Sequence, residues 1–238
     1  VFCSVDIMKT KRFKTSLTAV LLALGLSSAA PILSAEGGVA EAPQTAEPRE
    51  YALERHTLHM GTLINAKLFG ATPEAVKHYA IVFEDKVTDY DDLMSVHKDT
   101  PLNEVNRRAG EPVEVPCEIA DMTKQALAIA DETNGAFEPM IGPVVNLWKI
   151  GFGGEHVPSD EAIAEAVSKV DRSKVRVWRE GGRCMMQIAK GQSIDMGAIA
   201  KGFIGQRLSD ILKHAGMTRG VLDLGGNIVA VGEKSDGR

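Results

Sequence analysis

Cysteine is nearly absent. Three occur in 238 residues, and beyond position 35 only Cys117 and Cys184 remain. That scarcity excludes a disulfide-dense scaffold and any zinc site built from cysteine pairs. No phosphate-binding GxxxxGK[ST] loop, nucleophile-elbow serine or helical zinc-binding histidine pair occurs. The stretch GFGGEH lacks the third glycine of a dinucleotide fingerprint, which removes a Rossmann reading. Aromatic residues make up 5% of the chain, and no excess of basic residues offers a nucleic-acid or anionic membrane surface.

A long apolar span is also missing. Thr15 to Ala35 carries no charge, but Ser27, Ser28 and Pro31 cut its apolar core short of the roughly 20 residues that a spanning helix needs. Its layout instead predicts a cleaved export signal. MKTKRF from Met8, with Lys14, forms a positive start, LTAVLLALGL an apolar run, and SSAAPILSA a small-residue exit near Ala35. Residues before Met8 read as upstream of the true start. No cysteine follows the apolar run, so a lipid-anchored form is not supported, and a periplasmic location is expected.

Residues 36–50, EGGVAEAPQTAEPRE, read as a flexible tether. Without residues 1–35 the chain keeps 23 basic and 31 acidic side chains, a net charge of −8. Cys117 and Cys184 are left with two readings, a pair in an oxidising compartment or two buried thiols.

From residue 51 onward the pattern predicts one α+β domain of mixed or antiparallel sheet with packed helices, with 44% hydrophobic residues in the whole chain to fill a core. HTLHMGTLINAKLFG reads as a strand with a glycine interruption. TPEAVKHYAIVFEDKVTDYDDLM predicts a long helix, with Thr72 as cap and Val76, Tyr79, Ala80, Phe83, Val87, Tyr90 and Met94 on one face. A polar loop is expected through NRRAGEP. A helix in ADMTKQALAIADETNG should stop at Asn134-Gly135. AFEPMIGPVVNLWKIGFGG reads as a fixed loop lined by Phe137, Trp148 and Phe152. A short helix in SDEAIAEAVSKV precedes the hairpin VRVWREGGRCMMQIA. Ile199, Phe203, Ile204, Leu208, Ile211 and Leu212 form one face of a last helix, which Gly216 ends. GVLDLGGNIVAVG reads as two strands about a Gly-Gly turn.

The chemistry concentrates in SIDMGAIAKGF, where Gly197 and Gly202 bracket a helix start and Lys201 adds a charge in its first turns. Free amides there bind anions, and a lysine that opposes the helix dipole gains from a nearby phosphate. Asp195 either caps the helix or meets a sugar, a base or a cation, and Lys201 is otherwise solvated. Asp223 reads as a turn acid, Met60 as core, and His97 as a loop residue. Phe137 and Trp148 read as core or as an edge for a planar ligand, and Glu138 as a turn residue unless a nucleotide hydroxyl meets it.

Taken in order, MGT, LMSVHKDTPLNEVN, GAFEPMIGPVVNLW, SIDMGAIAKGF and LDLGGNIVAVG resemble the ApbE family of FAD:protein FMN transferases, from Met60 to the last residue. The resemblance implies an exported, magnesium-dependent enzyme. It would cleave FAD, release AMP and join FMN to a threonine of an acceptor, typically a subunit of a membrane electron-transfer complex. It also implies that Met60, His97, Ala136, Phe137, Glu138, Asp195 and Lys201 line the FAD site. Ala198 would bind magnesium through its carbonyl oxygen. An FAD pyrophosphatase or a flavin carrier without turnover are the competing functions.

The sequence departs from the family at three places. Glu138 stands where aspartate is usual and Met140 where a hydroxyl residue is usual. His97 or Val96 occupies the slot of a tyrosine. The family pattern continues beyond Arg238 with further magnesium ligands, so the chain is expected to be C-terminally truncated, with its catalytic base beyond Arg238, to bind FAD weakly and to transfer no FMN by itself.

Overall fold

The computed structural model describes residues 50–94, 98–149, 157–232. The chain divides into two units, residues 1–45 and 46–238. The leader falls outside the described residues, and every element below belongs to the second unit.

Two antiparallel sheets and six helices make up the described fold, an α+β architecture as expected. The first sheet has the order β1-β2-β6-β7, with β1 Tyr51–His59, β2 Thr62–Gly70, β6 Arg219–Leu224 and β7 Asn227–Gly232. Its register aligns Ile64 with Leu224 and Ala66 with Leu222, and all four side chains are buried on one face. Period-2 alternation explains this: a slip of one residue would turn that row out to water. Against the sheet pack α1 (Pro73–Met94) and α6 (Gly197–His214), which also contact each other. The α1 cap is as expected, with Ala75 N–H donating to Thr72 Oγ1 at 3.1 Å. All seven apolar positions expected on its inner face are buried. Each large side chain among them contributes about 1.5–3 kcal/mol by leaving water.

The second sheet has the order β3-β5-β4, with β3 Val113–Val115, β4 Arg176–Glu180 and β5 Arg183–Gln187, and α3 (Cys117–Glu132) lies against it. Cys117 at the start of α3 forms a disulfide with Cys184 on β5, which decides between the two cysteine readings.

Three expectations are corrected. HTLHMGTLINAKLFG is a hairpin, not one interrupted strand, because Met60 (φ 51°) and Gly61 (φ 68°) both adopt the left-handed backbone that a two-residue hairpin turn requires. The polar loop expected through NRRAGEP holds a helix, α2 (Pro101–Arg107). Thr100 Oγ1 caps it through Asn103 N–H at 3.3 Å, and Leu102 and Val105 bury one side. AFEPMIGPVVNLW is not a loop but a 3₁₀ turn, Pro139–Ile141, that runs into α4 (Gly142–Trp148). Its prolines stand in the first turn of each element, where the missing N–H is not needed. The short helix α5 (Asp160–Val167) falls as expected, and residues 150–156 with Phe152 lie outside the described residues.

Candidate functional site

Ser193 to Met196 leads into α6 without regular secondary structure. Ile194 and Met196 alternate into the core at 3% and 2% exposure, so Asp195 between them stays part-exposed. Its Oδ1 accepts the Gly197 amide at 2.7 Å and so takes one of the free amides at the helix start. The capping reading of Asp195 therefore holds for one oxygen. Asp195 N–H donates to Pro139 O at 2.8 Å, and this bond joins the Ala136–Ile141 segment to the start of α6.

A second restraint acts one residue earlier. Gly142 packs so closely on Ser193 that a Cβ there would stand 2.5 Å from the Ser193 carbonyl oxygen. Only glycine permits that approach without a backbone shift.

These contacts place Ala136, Phe137, Glu138, Asp195, Ala198 and Lys201 on two segments tied to one another. Ala136 and Ala198 are exposed, while Phe137 is part-buried and packs against the core. Lys201 is half-buried and, among the described residues, has no hydrogen-bond or ion-pair partner. Glu138 keeps the turn role read for it, as the cap of the 3₁₀ turn. Oε1 accepts the Met140 amide at 3.0 Å and Oε2 the Arg172 guanidinium at 2.9 Å, so both carboxylate oxygens are engaged within the chain. Arg172 also holds Asp131 at 2.8 Å, and the two acids keep its pKa above the usual value.

Met60 belongs to a different corner. A methionine in left-handed backbone is disfavoured by about 1 kcal/mol or more, and the Asp91 carboxylate offsets this by accepting the Met60 amide at 2.7 Å. Asp91 Oδ2 meets Lys98 Nζ at 2.7 Å and His59 Nδ1 at 3.2 Å. Burial pushes the Asp91 carboxyl up, but the hydrogen bonds from Lys98, the Met60 amide and His59 outweigh that and hold it below the usual aspartate value. The ionised acid only accepts, so His59 carries its proton on Nδ1. These side chains line a cleft of about 390 Å³ that, among the described residues, includes none of the other expected site residues. No hydrogen bond or ion pair joins the two corners among the described residues. His97 lies outside the described residues.

The sequence pattern did not single out Asp91, Arg172 or Asn106. Asp91 had a signal: it stands four residues after Val87, on the face of α1 that otherwise carries only apolar side chains. Asp223 keeps its turn role, accepting Gly226 N–H at 2.7 Å. A cavity of about 720 Å³ adjoins Ser193 between α4 and α5, and among the described residues no expected site residue lines it.

Among the described residues no three His, Cys, Asp or Glu side chains gather where a metal ion could be held. Ala198 lies in the first turn of α6 and offers one neutral carbonyl oxygen. Magnesium usually takes at least one carboxylate, so the described residues do not by themselves build its site.

Comparison with known proteins agrees with the layout. The FAD:protein FMN transferase of Treponema pallidum is 34% identical over 204 residues, covering 83% of this chain and 56% of that protein. That of Klebsiella pneumoniae is 34% identical over 146 residues, covering 60% and 46%. The flavin transferase ApbE from Vibrio cholerae superposes with a TM-score of 0.67 at 26% identity over 79% of this chain and 61% of that one. The apo flavinyl transferase ApbE of Pseudomonas stutzeri gives 0.70 at 23% over the same shares, a likeness of fold. The chain spans about half the length of the curated relatives it matches. A family model described as the ApbE family matches residues 60–238, from the Met60 turn through the Asp195 corner and on. With that match laid over this fold, the chain belongs to the ApbE family.

Proposed function

We propose that the protein binds FAD at the Asp195 corner and transfers its FMN part to a threonine of an acceptor protein, with magnesium and with release of AMP. One observation carries this reading. The Pro139–Asp195 hydrogen bond ties the Ala136–Glu138 segment to a helix start whose lysine, Lys201, has no partner among the described residues. Gly197, Ile199 and Ala200 N–H are already bonded at this helix start, which leaves the Ala198 amide, and that amide with the Lys201 ammonium suits a phosphate. Asp195 keeps one carboxylate oxygen clear of the Gly197 amide, open to a nucleotide hydroxyl or amine.

In the transfer the threonine oxygen bonds to the flavin-side phosphorus as the phosphoanhydride bond breaks. The hydroxyl proton is lost and AMP leaves. Such a reaction relies on positioning and charge more than on covalent chemistry by the protein. The chain's own part is to hold the nucleotide: Lys201 by charge, the Ala198 amide by a hydrogen bond, and Phe137 by an aromatic edge. Magnesium supplies charge neutralisation when bound.

Export to the periplasm is part of the proposal. The signal-like first 35 residues support it, as does the Cys117–Cys184 disulfide, a bond that persists in oxidising compartments. A subunit of a membrane electron-transfer complex is the proposed acceptor.

Incubating a full-length version of the protein, one that spans the length of its relatives, with FAD, magnesium and an acceptor carrying an exposed threonine tests the reading. Flavin fluorescence on the acceptor band, lost with a chelator, is the expected result. Free FMN with AMP and an unlabelled acceptor points to a hydrolase, and intact FAD contradicts both.

A further inference from the structure

We propose that Asn106 is the positioning residue of this corner: its carboxamide closes both backbone hydrogen bonds of Ile194 and thereby sets Asp195 and the start of α6 for the flavin nucleotide. The proposal rests on the FAD reading above. Ile194 N–H donates to Asn106 Oδ1 at 2.8 Å, and Asn106 Nδ2 donates to Ile194 O at 3.0 Å. One side chain thus stands in for a neighbouring strand, with one donor and one acceptor side by side.

Ile194 is only 3% exposed, so its backbone groups need partners inside the protein. Three successive residues are held by three different elements. Ser193 is pressed by Gly142 of α4, Ile194 is held by Asn106 of α2, and Asp195 is held by Pro139 of the 3₁₀ turn. Asn106 is itself anchored through α2, whose Leu102 and Val105 are buried and whose start Thr100 caps. Of the three restraints it is the only one made by a side chain, which makes it separable by mutation.

Asparagine is the residue that supplies both halves at this length. Aspartate keeps the shape but replaces the donor with a carboxylate oxygen facing Ile194 O. Protonation restores a donor, so the folded, flavin-bound state raises the pKa of an aspartate placed here above its ordinary value. The surrounding charges are already satisfied. Arg107 on α2 is paired with Asp99 and Glu104, and on α5 Lys169 is paired with Glu165. Asp195 follows on the clamped segment, so its carboxylate adds to the upward shift.

The test is FAD titration of the wild type, Asn106→Asp and Asn106→Ala across pH, each with its melting temperature. Asn106→Asp should bind FAD about tenfold more weakly than wild type at about pH 7.5 and recover most of that by about pH 5, the ratio to wild type being the readout. Asn106→Ala has nothing to protonate and should show a loss relative to wild type that does not recover. A deficit in Asn106→Asp that ignores pH, or no deficit in either variant, overturns the proposal.

Amide hydrogen exchange separates this from the FAD reading. Ile194 and Gly197 should exchange faster in both variants than in wild type, without FAD present. If wild type fails to bind FAD, the functional reading falls, and equal exchange at these amides overturns the clamp as well.

Discussion

Two aspartate–lysine sets behave in opposite ways. Asp91 and Lys98 meet at 2.7 Å, and Lys98 also reaches Asp92 at 2.6 Å. Asp195 and Lys201 are closer in sequence, yet Lys201 has no ion pair among the described residues. The Met60 corner is therefore held by charge, while the Asp195 corner is held by neutral contacts from Asn106, Pro139 and Gly142. A site fixed by neutral groups leaves its cation available to a ligand. A site fixed by a carboxylate consumes its cation internally and becomes sensitive to acid.

The sharpest way to break the neutral corner is Gly142→Ala. The new methyl would meet Ser193 backbone atoms at 2.5 and 2.7 Å, and backbone cannot swing aside as a side chain can. A loss of about 2–3 kcal/mol is expected, read as a melting temperature lower by roughly 5–10 °C. An unchanged melting temperature would mean that the segment yields freely.

Asp91→Ala should come next, at about 2 kcal/mol, because it strands the Met60 amide and removes the partner of His59 and one of the two acids on Lys98. Denaturant unfolding at neutral pH measures it. Asp91→Asn retains an acceptor for Met60 and should cost about half as much.

The two corners also part on pH. The folded Asp91 pKa lies below the unfolded value, so the unfolded chain binds the proton first as pH falls. Its stabilising contribution is fully present above the ordinary aspartate value and is lost as pH drops through the depressed folded one. The stability difference between wild type and Asp91→Asn should therefore close over that acid range. A difference that persists to the lowest pH at which both fold would show that the charge is not what stabilises the Met60 turn.

Much of this fold was legible because long periodic segments report their own burial. The α1 stripe and the helix face from Phe203 to Leu212 needed no tertiary information. Short elements hid. α2 and α4 are seven residues each, too brief for periodicity, and proline at their starts resembles a loop signal. The Met60 turn hid because methionine is not a left-handed residue, and only Asp91, 31 positions away, makes it one. Asp195 and Lys201 stood out by local chemistry. Asn106 did not, since a partner 88 residues away has no local signature. The turn role of Glu138 was legible, but its ion pair with Arg172, 34 positions away, was not.

If Lys201 has no partner among the described residues because it serves a ligand, FAD titration of Lys201→Ala against wild type will show it. The substitution touches no ion pair among the described residues, so stability should move by no more than about 0.5 kcal/mol. Loss of a charge-assisted contact to a diphosphate should weaken FAD binding by roughly tenfold or more. A melting temperature held constant with the dissociation constant raised by that factor is the predicted result. An unchanged dissociation constant would contradict it and leave Lys201 a solvated surface charge.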